Sequence, residues 1–477
     1  MTNVQFNGLQ GEKIDLSSDM LTALQAQCRG QVCLPEDAGY DEARTIWNAM
    51  IDRRPGVVVR CHGASDVIQA VNFARDNRLL LSVRGGGHNI SGNAVCEGGI
   101  MIDLSPMQSV RVDPRARTAR VEPGVTLGGF DKEAQAFGLA TPLGINSTTG
   151  VAGLALGGGF GWLSRKYGFT VDNLLAADVV TYNGELVQAS ATENSDLFWA
   201  IRGGGGNFGV ITSFEFKLHP VGPDLVSGLI VHPFTQARQL LMGYRDVAAA
   251  CPDDLTVWAV LRKAPPLPFL PEEMHGKEIL VFAVCYAGEP SKAEGALAPL
   301  RALGEPVADV IGVQPYTAWQ TAFDPLLTPG AFNYWKSHNF TALSDGLIDI
   351  LIEFVGTLPT GECEIFIGQL GGASNRVAPN ATAYPHREAN FVMNVHTRWR
   401  DRNDEQASIK WARNLFAATA PHATGGVYVN FMPADETDRV AQAYGGNHDR
   451  LASIKAKYDP GNLFRLNQNV KPQRTTG

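Results

Sequence analysis

Three glycine-rich loops in one half of the chain limit its fold more than any other feature. The first is Ser82-Val83-Arg84-Gly85-Gly86-Gly87-His88-Asn89-Ile90-Ser91-Gly92. The apolar runs Leu79-Leu80-Leu81 and Gly99–Leu104 flank it, so it reads as strand, tight loop, strand. The second runs from Gly153 to Trp162, the third from Arg202 to Val210. Consecutive glycines let backbone N–H groups converge on an anion, because no Cβ blocks the approach. One such loop is weak evidence. Three together imply a large phosphate-bearing cofactor wrapped by backbone. His88, beside the first loop, is then a metal ligand, a general base or a covalent anchor for the bound group.

A nicotinamide dinucleotide is the obvious rival, since Gly204-x-Gly206-x-x-Gly209 matches G-x-G-x-x-G. That pattern requires a helix after the glycines. The next residues are Val210-Ile211-Thr212-Ser213-Phe214-Glu215-Phe216, β-branched and aromatic, which predicts a strand. The match fails on context.

The length of 477 residues allows two or three domains of ~150 residues. A net charge of −8 disfavours nucleic acid, which needs a basic field. No apolar run approaches the ~18 residues of a membrane span, so no membrane association is expected. Met1–Asn7 lacks the basic and apolar regions of a secretory signal. The seven cysteines are scattered, with no C-x-x-C and no zinc spacing. A cytoplasmic protein with reduced thiols and no metal is expected. Cys28 and Cys33 could pair only outside a reducing compartment.

Along the chain, residues 15–29 and 39–50 read as helices and Val57–Arg60 as a strand. Ala64–Asn77 reads as an amphipathic helix capped by Ser65. Hairpins are predicted over Val110–Val121 and around the Asn183-Gly184 turn. Pro220 and Gly222-Pro223 mark a boundary. Beyond it, strands and amphipathic helices alternate through Val427–Phe431, predicting an α+β fold whose second part is an antiparallel sheet backed by helices. The tail, Tyr458 to Asn469, is irregular and rich in side-chain amides.

Taken together, Arg84–His88, the Gly144–Gly161 region, Asn207-Phe208-Gly209-Val210, Tyr428-Val429-Asn430-Phe431 and Tyr458–Asn469 resemble the vanillyl-alcohol-oxidase/PCMH flavoprotein superfamily. Within it they are similar to the berberine-bridge-enzyme-like and 6-hydroxy-D-nicotine-oxidase-like oxidases. The resemblance implies a PCMH-type FAD-binding domain over 1–220 with a lead-in over 1–50, a substrate-binding domain over 221–430, and a segment over 431–477 that returns to the FAD domain. It implies an FAD-dependent oxidase that moves a hydride from a C–OH or C–N carbon of a small organic substrate to flavin N5. O2 reoxidation would give H2O2. A dehydrogenase with another acceptor, or a flavin-binding protein with little turnover, is the alternative. The protein would be a monomer or homodimer.

By the same resemblance His88 is the residue joined to the flavin. Asn146 stands where many relatives carry a second, cysteinyl link, so a single covalent bond is implied. Thr149 stands at the position that controls oxygen access. Arg84, Gly85, Gly86, Gly87, Asn89, Ser91, Gly150, Gly153, Gly157, Asn207, Gly209, Val210, Asn467 and Asn469 are the remaining cofactor contacts expected. Tyr428 matches the tyrosine used as a base by sugar oxidases. An ordinary phenol has a pKa of ~10 and needs a neighbouring cation to work near neutrality, a part assigned to Arg400. Strand parity then places Arg398, His396 and Asn394 on the face of Arg400, and Asn430 with Tyr428. Gln369 completes the expected substrate contacts.

Overall fold

The computed structural model describes residues 3–473. Its N-terminal half holds two sheets. One has four strands in the order Val32–Cys33, Val57–Arg60, Ile100–Asp103, Leu81–Arg84. The last three are mutually parallel, and the helix Ala64–Asp76 crosses between Val57–Arg60 and Leu81–Arg84. Parallel strands are covered on both faces, which explains why Val57, Val58 and Val59 read as an unbroken apolar run and are all fully buried. The residue at the start of that helix is Gly63, not Ser65. The Asp66 carboxylate accepts the N–H groups of Arg29, Gly30 and His62, so Ser65 falls inside the first turn.

The second sheet has five antiparallel strands, in the order Leu186–Ser190, Leu174–Val180, Val210–Lys217, Thr118–Val121, Val110–Asp113. Both hairpins expected from the sequence are present. The segment after the third glycine loop, Val210–Lys217, is a strand, so the loop does not open a dinucleotide-binding helix. The expected helix over 39–50 is a single turn, Tyr40–Arg44. Beyond it the chain is held by distant partners. Trp47 Nε1 donates to Leu327 O at 2.9 Å, and Asn48 exchanges hydrogen bonds with the Asn333 backbone.

Residues 224–399 build an eight-stranded antiparallel sheet. Its central run is Asp224–Pro233, Glu278–Tyr286, Leu255–Lys263, Glu364–Gln369, Phe391–Trp399 and Phe332–Phe340. Helices Ala237–Ala250, Asp345–Val355 and Glu405–Thr419 cover one face through apolar stripes such as Leu240, Leu241, Tyr244, Val247 and Ala248. The other face turns toward the glycine loops, where Phe160, Trp162, Trp258, Trp319 and Tyr428 share a core. The strand Phe332–Phe340 has no counterpart in the sequence reading. Val427–Phe431, expected as a strand, instead holds a short 3-10 turn, Val429–Phe431. Its bonds run to the second glycine stretch, whose first residues, 153–156, lie in the helix Val151–Leu156 and not in a loop as expected. Gly159 N–H donates to Tyr428 Oη, and Asn430 Nδ2 donates to Leu154 O.

The C-terminal segment packs back onto the N-terminal half. Lys455 Nζ, fully buried, donates to Asp459 Oδ2 at 2.6 Å, Asn207 O at 2.6 Å and Phe464 O at 2.9 Å. Asp459 in turn accepts the N–H groups of Leu463 and Phe464.

Candidate active site

A continuous cleft runs between the glycine loops and the open face of the large sheet. The first loop and the turn that enters the helix Val151–Leu156 form its floor by touching backbone to backbone. A Cβ on Gly86 would collide with Gly150, and one on Gly150 with Gly86, so only glycine at both positions allows this approach. The N–H groups of Gly86, Gly87, His88 and Asn89 have no backbone or side-chain acceptor among the described residues. Unpaired N–H groups in a glycine loop are free to bind phosphate oxygens.

Room and unsatisfied polar atoms both fit FAD here. A Cβ on Gly153 or Gly206 would meet no atom within 4 Å, and both residues line the cleft. Asn467 Oδ1, Asn394 Oδ1, His396 Nε2 and Trp335 Nε1 are buried without hydrogen-bond partners among the described residues, and all four residues line the same cleft. Buried polar atoms are rarely left unpaired in a finished site.

His88 sits at the loop end with its ring stacked on Trp47, centroids 5.0 Å apart. Burial pushes its pKa down to about 4, so the ring is neutral at pH 7. The hydroxyl of Thr148 donates to Asn146 Oδ1 at 2.8 Å and lies 3.0 Å from His88 Nε2. With its one proton committed to Asn146, that hydroxyl accepts from Nε2–H. This assigns the tautomer by hydrogen-bond roles and leaves the lone pair on Nδ1. Asn146, which cannot form a thioether, thus acts on the histidine through Thr148.

Most residues anticipated from the sequence do line the cleft: Gly85 through Asn89, Asn146, Thr149, Gly150, Gly153, Gly157, Gly209, Val210, Asn394, His396, Tyr428, Asn430 and Asn467. Seven do not. Arg84 pairs with Asp103 and donates to Ala43 O and Thr45 O, fixing the loop from behind. Ser91 is buried against Met432 O and Gln468. Asn207 holds Val470 N–H and Gln468 O, tying the tail to the third loop. Asn469 is next to that tie, with its Oδ1 buried and unpaired among the described residues. Gln369 points to the helix side of the sheet, bonding Val257 N and Ala248 O.

Arg398 and Arg400 show where strand parity stops. Asn394, His396 and Arg398 do share a face, opposite Ser337, Trp335 and Asn333. Arg398 stops behind Trp47, its guanidinium 5.5 Å from the indole centroid. The strand ends at Trp399, so Arg400 swings outward, largely exposed, and pairs with Glu362. Neither arginine therefore serves Tyr428. Its burial pushes the phenol up to about 12, against the partial offset of hydrogen bonds from Asn430 Nδ2 and Gly159 N–H. The expected lowering of this pKa is corrected to a rise.

Trp47, Trp335, Trp258, Phe366 and Glu364 also line the cleft, and no motif in the sequence singles them out. Glu364 has a direct partner in the site. Its Oε1 is 3.3 Å from His396 Nδ1, and its Oε2 accepts from Arg262 at 2.6 Å. Burial would raise its pKa, but Arg262 and His396 override that and hold it down at about 2. The signal available was the alternation of Trp335, Ser337 and Asn339 in an aromatic-rich stretch.

Comparison with known proteins agrees with this geometry. Residues 55–190 match the family described as FAD binding domain, and 427–471 the family described as berberine and berberine like. The (R)-6-hydroxynicotine oxidase of Paenarthrobacter nicotinovorans is 33% identical, spanning 96% of this chain and all of its own. The chitooligosaccharide oxidase of Gibberella zeae is 29% identical, spanning 94% of each chain. The crystal structure of 6-hydroxy-D-nicotine oxidase from Arthrobacter nicotinovorans superposes with a TM-score of 0.84 at 31% identity, covering 94% of this chain and 98% of that one. Fold and cleft define an FAD-linked oxidoreductase. The chain belongs to the berberine-bridge-enzyme-like family of flavoproteins.

Proposed function

We propose that this protein is an oxidase that takes a hydride from a carbon bearing a hydroxyl or an amine on a small substrate, with FAD bound covalently through His88 alone and O2 as the final acceptor. Bound FAD supplies the two-electron acceptor. The observation that carries the reading is the unbroken cleft, which joins the unpaired N–H groups beside His88 to the unpaired polar atoms of Asn394, His396 and Trp335.

In this reading Gly86 through Asn89 bind phosphate oxygens by their N–H groups. Gly153 and Gly206 leave space for the cofactor, and Asn467 supplies an amide. His88 would bond the flavin methyl through Nδ1, the nitrogen freed by Thr148. Trp258, Phe366 and Phe431 exclude water from the substrate end. Tyr428 already accepts two hydrogen bonds at its oxygen, so its proton is left to donate. It would orient the substrate heteroatom. Thr149, beside His88, would leave oxygen a path.

The test is anaerobic mixing of purified protein with (R)-6-hydroxynicotine, chitobiose and a set of primary alcohols and amines, followed by air. The expected result is bleaching of the flavin by at least one compound, then recovery of colour with equimolar peroxide. Bleaching without reoxidation by air would assign a dehydrogenase. Absence of bleaching by every compound would favour a binding role.

A further inference from the structure

The sheet carries a second titratable centre that the resemblance does not assign. His396 and Glu364 stand opposite each other on neighbouring antiparallel strands. The contact between His396 Nδ1 and Glu364 Oε1 is 3.3 Å. A carboxylate oxygen only accepts, so in the neutral ring this contact favours the proton on Nδ1 and leaves the lone pair on Nε2. That Nε2 is buried, has no protein partner among the described residues, and belongs to a residue lining the cleft. Behind Glu364, Arg262 locks the other carboxylate oxygen at 2.6 Å and is itself buried. Trp335 sets the ring plane from the side, edge-on at 4.7 Å. The arrangement is a carboxylate–imidazole pair on a cleft-lining histidine whose second nitrogen has no protein partner among the described residues, the pattern by which a histidine is fixed as a base.

We infer that His396 Nε2 is the proton acceptor for the substrate's O–H or N–H during oxidation, with Glu364 as its positioning residue and Arg262 bracing Glu364. This rests on the oxidase reading above. As the C–H bond breaks, its hydrogen leaves with both electrons to the flavin, and the heteroatom's proton passes to Nε2. A C=O or C=N bond forms, FAD is reduced by two electrons, and the imidazolium is balanced by the Glu364 carboxylate until the proton returns to solvent. Tyr428 fits this scheme as a neutral donor to the same heteroatom. The charged groups around the pair are Glu364 and Arg262 from neighbouring strands and Arg398 on its own strand, with Tyr428 lining the same cleft.

Two measurements test it on the FAD-loaded protein. In 15N-histidine-labelled holoprotein, the His396 signal, assigned by its loss in His396→Gln, should show protonated Nδ1 and bare Nε2 at pH 8. Glu364→Gln should shift that signal toward mixed tautomers. Protonation on Nε2 in the wild type, or no change in Glu364→Gln, overturns the assignment. With (R)-6-hydroxynicotine, chitobiose and the alcohol and amine set, anaerobic flavin reduction in His396→Gln should fall by ~10²–10⁴-fold at unchanged FAD content. In Glu364→Gln the acid limb of the reduction rate should move to lower pH, because removing an anion destabilises the imidazolium. A His396→Gln rate within about threefold of wild type, beside a Tyr428→Phe collapse, would move the base to Tyr428. If no compound reduces the wild-type flavin, the oxidase reading fails, while the tautomer result still decides the geometry.

Discussion

Trp47 lies between His88 and Arg398, stacked on the imidazole at 5.0 Å with planes 21° apart, and braced by the guanidinium 5.5 Å from its ring. The indole thus fixes the azimuth of the residue expected to carry the cofactor. His88→Ala should give protein that binds FAD yet releases it on acid precipitation. Trp47→Ala should retain FAD but lower the covalent fraction, read as flavin fluorescence on a denaturing gel. Full covalent occupancy in Trp47→Ala would show that the stack does not orient the ring.

Covalent loading should also be unusually tolerant of acid. An ordinary histidine is protonated below a pH of ~6.5 and loses its lone pair. Burial pushes His88 down to about 4, so its Nδ1 stays available between those values. Apoprotein mixed with FAD should flavinylate at similar rates from pH 8 to about 5 and slow as pH falls toward about 4. A midpoint near ~6.5 would show an exposed, unshifted ring.

Thr149 lines the cleft with its hydroxyl 3.5 Å from His88 Nδ1. Thr149→Leu should slow reoxidation of the reduced enzyme in air on the order of tenfold, about 1.4 kcal/mol, with anaerobic reduction nearly unchanged. Equal loss in both half-reactions would make it a packing position.

Tyr428→Phe removes the acceptor of Gly159 N–H and Asn430 Nδ2 and, toward the substrate, one donated hydrogen bond worth ~0.5–1.5 kcal/mol. The expected fall in kcat/KM is therefore ~2–12-fold, with the pH profile unmoved. A loss beyond ~10²-fold together with a displaced pH profile would show that the phenol itself takes the proton.

Asp131 is fully buried, with Gln320 donating to Oδ2 and Oδ1 left unpaired among the described residues. Burial pushes it up to about 7 despite that bond. The folded state then holds a proton that the unfolded chain releases near ~3.9, so stability falls as pH rises through this window and stays low above about 7. Asp131→Asn should raise Tm more at pH 8 than at pH 5. An equal gain at both pH values would place a neutralising partner near Asp131.

The glycine loops and both hairpins were legible because close backbone approach and tight turns demand particular residues. Gly86, Gly150 and Asn183-Gly184 leave few alternatives. Strand parity put His396 and Asn394 on one face, though it was reckoned from Arg400, which turns outward past the strand end. Arg400 itself was not legible, because the end of a strand at Trp399 is set by what its neighbours can pair with. Glu364 was hidden for a related reason. Its partner lies 32 residues away along the chain, and only the pairing of the two strands brings the carboxylate to the imidazole. The strand Phe332–Phe340 was hidden because polar residues interrupt the aromatic ones on both faces, with Lys336 and His338 packed on Phe416 on one side and Ser337 and Asn339 on the other.

The tie between Asn207 and the tail, through Val470 N–H and Gln468 O, has a consequence for the order of events during synthesis. The first two walls of the cleft emerge from the ribosome long before Leu466, Asn467 and Gln468, which close it. A nascent chain paused before these residues lacks part of the cleft lining. A lesion that cuts off the last codons should then leave an almost entire sequence with an incomplete cleft wall, read as lowered FAD content.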